Sequence, residues 1–405
     1  MDRQLYILAN SPGELSGWVA PVVEEVRSVL PDIRITIALI PDWFTSGREQ
    51  QFAAKLPVDR VVGVFTLIRE IWRRRNEFVS KQNLVLFMGG DALYAKGLSR
   101  LLKCPAMAYM PRVYYPADFA RIFVPSPAEK DRAVRKGADP DRITVVPTLA
   151  LDSVKPSGTP RQVRDRLALA AESQPVFSLL AGSRPEYANL GFNFMLEVAN
   201  LLLAEYPEGY ILLPVSPFID KSIVLDVLRQ RQMKWTEAQT CETLSTGDGR
   251  IRFVFGNTHD AFAVTDVALV IPGTNNLQCA AMGIPFIVLV PLNWIEHIRF
   301  EGLLGLLYPK FFPFNVLKKY VVTWVSGRIL YASMVNRMAG RMLVTEVRAV
   351  VEPHHEAALV SELWRDVPRR TKLVSELLEL TRERGAARII AEGIRENFIS
   401  DQRVR

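Results

Sequence analysis

Residues 5–17 read LYILANSPGELSG: a five-residue apolar run, then a polar loop with two glycines and two serines, opening into a helical pattern. A short apolar run closed by Gly, Ser and Pro is the signature of a buried strand. Just downstream, Val22, Val23, Val26 and Leu30 fall on one helical face. The same order repeats. Apolar runs at 34–40, 61–65, 84–88, 106–110 and 122–124 read as further buried strands. Strand–loop–helix repetition predicts a parallel sheet with helices on both faces. At 151–158 the text changes to LDSVKPSG, a linker. The alternation then restarts, with strands predicted at 176–180, 210–213, 251–255, 267–271 and 285–290 and a helix at 193–203. The expectation is therefore α/β: two doubly wound parallel-sheet domains, residues 1–155 and 156–350, facing a cleft. In residues 351–405, Leu359, Leu363, Leu373, Leu377, Leu378 and Ile389 recur at helical spacing among charges, which predicts a helical C-terminal cap.

A chain of 405 residues with 49% apolar and 23% charged residues has enough material for two cores. Its formal charge of +7 suits phosphorylated ligands or an anionic membrane surface, and equally a mildly basic enzyme. Cys104, Cys241 and Cys279 form no C-x-x-C pair, so reduced thiols are expected instead of a disulfide framework. The pair His354–His355 has no metal-ligand spacing with a cysteine or carboxylate, and no metal is expected. The first residues lack a secretory pattern, and Lys, Arg, Asp or Pro interrupts every long apolar run. The expectation is a cytoplasmic chain that does not span a membrane.

Open α/β sheets bind ligands outside the carboxyl ends of their strands, which draws attention to four loops. The first is 10–17, where Glu14 supplies a carboxylate. The second is Gly89-Gly90-Asp91, where Asp91 stands either to accept a proton from a hydroxyl or to cap the helix beginning near Ala92; spacing alone favours the cap. The third, Ala181-Gly182-Ser183-Arg184, offers backbone N–H groups, a hydroxyl and a guanidinium to a diphosphate, although an exposed arginine would look the same. The fourth, Pro272-Gly273-Thr274-Asn275-Asn276-Leu277-Gln278, is a second cradle at a helix start, or an ordinary turn with an Asn cap.

Taken in order, these segments resemble the lipid-A-disaccharide synthase family, glycosyltransferases of GT-B fold. Residues 10–17 are similar to its A-G-E-T-S-G-D loop and 89–91 to its G-I-D-A-P segment. Residues 177–184 resemble its leucine-rich strand ending in P-G-S-R, 263–285 its A-S-D-A-A-L-L-A-S-G-T-A-A-L-E-C stretch, and 336–341 its N-L-L-A-G-R. The resemblance implies metal-free, inverting transfer from a UDP-sugar to a lipid-linked sugar, without a cofactor. It makes 1–155 the acceptor-binding domain and 156–350 the nucleotide-sugar domain. It implies Asp91 as the base, with Glu14 as the other carboxylate of that lobe. Gly182, Ser183 and Arg184 would hold the diphosphate together with Gly273, Thr274 and Asn275; Gln278 would meet the ribose, and Asn336 and Arg341 would close the donor pocket. The chain departs from the family at Trp18, where the family has aspartate, and at Gln278, where it has glutamate. The family's S-V-W-A-W segment is reduced here to Pro111-Arg112-Val113-Tyr114-Tyr115-Pro116, and 298–333 is longer and more apolar.

A lipid acceptor requires contact with a membrane. In 61–78, apolar and aromatic residues ending in Trp72 precede Arg73, Arg74 and Arg75, the pattern of an interfacial helix or of a core helix with a solvated arginine end. Residues 303–331 interleave Tyr, Phe and Trp with Lys and Arg, which suits headgroups. No RNA- or DNA-binding motif accompanies them. The leading expectation is a hexosyltransferase peripheral to the inner face of the cytoplasmic membrane. The alternatives are a catalytically silent membrane-associated binding protein of the same fold, or a nucleotide-sugar enzyme with a soluble substrate.

Overall fold

The computed structural model describes residues 3–41, 47–170, 174–238, 243–297 and 330–404. Cys241 and residues 303–329 of the second aromatic–basic segment lie outside the described residues. Two compact units emerge, residues 1–153 with 383–405, and residues 154–382.

The first unit is built on strands β1 (Arg3–Ala9), β2 (Arg34–Leu39), β3 (Arg60–Gly63), β4 (Gln82–Phe87), β5 (Ala106–Tyr109), β6 (Arg121–Val124) and β7 (Ile143–Val145). All pair in parallel in the order β3-β2-β1-β4-β5-β6-β7. Every residue of β4 is buried, as a strand covered on both faces requires. The chain runs outward from β1 through β2 to β3, then returns to β4 on the other side of β1. That reversal puts the topological switch point between β1 and β4.

The second unit contains β8 (Val176–Leu180), β9 (Tyr210–Pro214), β10 (Trp235–Glu237), β11 (Thr243–Thr246), β12 (Ile251–Val254), β13 (Val267–Val270), β14 (Phe286–Pro291) and β15 (Thr345–Ala349). Their order is β10-β11-β12-β9-β8-β13-β14-β15. From β8 the chain moves to β9 and that side of the sheet, then crosses to β13 on the other side. The switch point here lies between β8 and β13. Asp266 locks the two strands in register at their amino ends: its N–H donates to Val176 O at 2.9 Å, and its carboxylate accepts from Val176 N–H at 2.8 Å. The core gathers Phe177, Leu179, Phe192, Met195, Leu213, Phe253 and Leu269, all fully or almost fully buried. Each such side chain stabilises the unit by about 1.5–3 kcal/mol relative to exposure.

Three features differ from the sequence expectations. The strand expected at 61–65 stops at Gly63, and Val64–Arg73 is a helix whose Val64, Leu67 and Ile71 are buried. Strands β10 and β11 add an antiparallel edge to the otherwise parallel second sheet. The C-terminal helices do not stay together. Pro353–Arg365 and Val367–Leu380 fall in the second unit, while Ala386–Val404 packs on helix Ala20–Val29 of the first. Asp152 fixes the start of that last helix, accepting from Gly385 N–H and Ala387 N–H at 2.8 Å each.

Candidate functional site

In each unit, the two loops singled out by sequence leave adjacent parallel strands at the carboxyl end of the switch point. In the first unit, residues 10–17 follow β1 and 89–91 follow β4. Ser11 precedes a continuous helical run comprising Pro12–Glu14, a wider π turn at Leu15–Val19, and Ala20–Val29. The wide turn lies just ahead of Pro21, which has no N–H for the regular ladder. Glu14 turns back to the start of this helix, and its Oε2 accepts from Asn10 N–H (3.1 Å) and Ser11 N–H (3.2 Å). A Cβ at Gly89 would fall inside the Glu14 carboxylate, so only glycine leaves room for it. Gly90, at φ +84°, lies against Asn10, where a Cβ would stand 3.0 Å from Nδ2. Asn10 Oδ1 is buried without a partner among the described residues.

Asp91 is exposed and caps helix Ala92–Leu102: its Oδ1 accepts from Leu93 N–H at 2.9 Å. The cap fixes the carboxylate and leaves Oδ2 without a protein donor among the described residues. Capping and proton acceptance are compatible in this geometry. Glu14, by contrast, is committed to backbone N–H groups. Trp18 is half-buried and packs edge-on to Tyr109, with ring centroids 5.3 Å apart. It fills the position of the family's aspartate as a packing residue.

In the second unit, 181–184 follow β8 and 271–275 follow β13. Gly182 has φ +93°, a left-handed backbone that disfavours any side chain. Arg184 is the N-cap of helix Pro185–Glu205, with Ser183 and Arg184 half-buried on the loop. The start of this helix and the Arg184 side chain both belong to this loop, and each is of a kind that favours an anion. Gly273 leads into helix Thr274–Ala281. Asn276 is fully buried, and neither its Oδ1 nor its Nδ2 has a partner among the described residues; Asn275 Oδ1 is likewise buried and unpaired. A buried polar atom left unpaired costs about 1–3 kcal/mol, and such costs concentrate at functional sites.

Asn336 and Arg341 stand differently from the role the resemblance implied for them. Asn336 is fully buried on helix Met334–Ala339, and its amide is spent inside the chain. Nδ2 donates to Val344 O (2.9 Å) and Glu346 Oε1 (2.8 Å), while Oδ1 accepts from Leu343 N–H (2.8 Å) and Val344 N–H (2.9 Å). The residue pins the loop leading into β15. Arg341 pairs with Glu376 at 3.0 Å on the surface. Glu346 also accepts from Ala332 N–H, Ser333 N–H and Arg348. Burial pushes its pKa up, but these donors together outweigh it and hold the carboxyl below its ordinary value. Gln278 is half-buried, one turn into helix Thr274–Ala281.

The helix Val64–Arg73 is two-faced. Its buried face is the apolar one, while Phe65 (60% exposed) and Trp72 (74%) project outward, with exposed Arg69 between them at helical spacing. Arg73, Arg74 and Arg75 are exposed at its end. Among the described residues, no helix is long and apolar enough to cross a membrane.

Sequence reasoning passed over Tyr187 and Asn276. Asn276 carried a signal, because two amides stand where the family stretch has two alanines. Tyr187 carried none, since its placement over Gly182 is visible only in three dimensions.

Residues 148–323 match the family model described as lipid-A-disaccharide synthetase. The chain is 27% identical over 243 residues to the lipid-A-disaccharide synthase of Anaeromyxobacter dehalogenans, covering 59% of this chain and 53% of that protein. It thus spans about half the length of the curated relatives it matches. Among solved structures, UDP-GlcNAc 2-epimerase from Neisseria meningitidis bound to UDP-GlcNAc aligns with a TM-score of 0.57 at 14% identity, over 97% of this chain and 100% of that one. An Anabaena protein in complex with UDP and glucose aligns with a TM-score of 0.52 at 11% identity, over 98% and 99%. The fold shared with these neighbours is GT-B-like.

Proposed function

We propose that this chain, similar to the lipid-A-disaccharide synthase family over residues 148–323, is a divergent member of it that transfers a hexosyl group from a UDP-sugar to a membrane lipid or lipid-linked sugar. One observation carries the reading: the family-like loops, remote in sequence, come out pairwise at the switch point of each sheet, the place where open α/β sheets bind ligands. The nucleotide-sugar belongs to the second unit. There the Gly182–Ser183 backbone, Arg184 and the start of helix Thr274–Ala281 receive the diphosphate, and Gln278 meets the ribose. The acceptor belongs to the first unit, beside Asp91.

The acceptor hydroxyl oxygen bonds to the anomeric carbon as the bond from that carbon to the diphosphate oxygen breaks. UDP departs with the electron pair, and the hydroxyl proton passes to Asp91 Oδ2. Arg184 and the loop N–H groups stabilise the charge that develops on the diphosphate. No metal or cofactor takes part in this reading. The exposed stripe of Phe65, Arg69 and Trp72 with the following arginines supports peripheral contact with the cytoplasmic membrane. A catalytically silent binding protein is the second reading, favoured by Trp18, which packs on Tyr109 where the family has aspartate, and by the uncharged Gln278. Incubation with UDP-sugars and total lipid separates the two. Transfer should occur, and Asp91→Asn should lower turnover by about 10²–10⁴ while UDP binding persists. UDP binding without transfer favours the silent reading; transfer unaffected in Asp91→Asn removes Asp91 as the base.

A further inference from the structure

Tyr187 lies in the first turn of helix Pro185–Glu205, three residues after the arginine of the third loop. Its ring crosses Gly182. A Cβ there would stand 3.0 Å from Tyr187 Cε2 and 3.3 Å from the phenolic oxygen. A second aromatic ring holds it in place. Trp294, only 4% exposed, lies against it with centroids 6.4 Å apart at 37°, and Phe194 in turn meets Trp294 edge-on at 5.6 Å. The aromatic body is therefore fixed, and a ligand that used it would order little additional side chain.

The hydroxyl is what this packing leaves over. A tyrosine with a buried body normally satisfies its hydroxyl. Here the oxygen takes no hydrogen bond among the described residues, yet it is not among the sealed-in polar atoms and so remains open to a ligand. It stands beside the loop at the switch point of the second sheet, while Asn275 Oδ1 and both amide atoms of Asn276, unpaired among the described residues, lie in the first turn of the helix that follows the adjacent strand. Burial pushes the phenol pKa up and Arg184 opposes that only in part, so the group stays a neutral donor at physiological pH.

We propose that Tyr187 is a ligand-binding residue whose hydroxyl donates a hydrogen bond to a phosphate oxygen of a nucleoside diphosphate seated on 181–184. A phosphate oxygen only accepts, and a fixed neutral donor beside a guanidinium complements it. This inference rests on the second unit being the donor site.

The test is calorimetric titration of the full chain and of Tyr187→Phe with UDP, together with unliganded melting temperatures. The phenylalanine keeps the ring against Trp294 and removes only the hydroxyl. UDP should bind the variant about tenfold more weakly, which is the worth of one hydrogen bond to a charged group, while the unliganded melting temperature is unchanged. Equal UDP affinities overturn the assignment alone. A lowered melting temperature with unchanged affinity also overturns it and leaves Tyr187 a packing residue. If the parent chain binds no UDP, the donor reading falls first and this inference falls with it.

Discussion

Gly89 and Glu14 are coupled across the switch point of the first unit, and the coupling has a measurable size. In Gly89→Ala the new Cβ occupies the space of the Glu14 carboxylate. The backbone of the loop after β4 is the stiffer partner and the glutamate side chain the flexible one, so the carboxylate should swing away. It then loses the bonds it accepts from Asn10 N–H and Ser11 N–H, which orphans two donors at a helix start. The loss of such a carboxylate cap in a half-buried setting costs about 1–3 kcal/mol. Glu14→Ala removes the same bonds and should cost about as much. Once the carboxylate is gone, the methyl at position 89 has room. The double variant should therefore be no less stable than either single variant within about 0.5 kcal/mol, a strongly non-additive cycle. Urea denaturation of the parent and the three variants reads this directly. Additive losses would refute the reasoning, because they would mean that the alanine strains the loop backbone itself.

Arg184→Ala should weaken UDP binding by about 1.5–3 kcal/mol, the worth of a charge-assisted contact, and calorimetry that finds an unchanged dissociation constant removes it from the site. Changing Arg73, Arg74 and Arg75 to Glu should weaken co-sedimentation with anionic vesicles by about 1 kcal/mol or more per charge, and Trp72→Ala should weaken it further; equal sedimentation would leave that helix with its packing role only. Burial pushes the His259 imidazole down to about 4, an effect that Asp260 offsets only partly. The unfolded chain then binds more protons than the folded one between about pH 6.5 and 4, so stability should fall as pH falls through that window, by on the order of 2–3 kcal/mol. In His259→Gln that part of the pH dependence should disappear from the denaturation midpoints.

Strands with both faces covered were legible because little that is polar interrupts them: 84–88 is wholly apolar, 176–180 carries only Ser178, and both form buried strands. Elements at the margin were not. No residue of Trp235–Glu237 is buried and the strand pairs antiparallel at a sheet edge, so burial leaves no period in its sequence. The run at 61–65 misled for a related reason: Val64 is apolar because it faces the core from a helix, and Phe65 is apolar while facing solvent. Within the candidate site, the four loops could be read from glycine, serine and charge. Their pairing at two switch points could not, because it depends on strand order. Asn336 shows the same limit. Its partners lie 7 to 10 residues further along the chain, and only the turn that brings them back reveals an amide already fully used.

Hydrogen exchange of the full chain with and without UDP tests the central claim most directly, because it locates the nucleotide on the sheet. The account predicts slowed exchange at the amides of 181–187 and 274–278, the loops and helix starts that flank the switch point of the second unit. Binding that leaves both segments unchanged, or no binding at all, would contradict it.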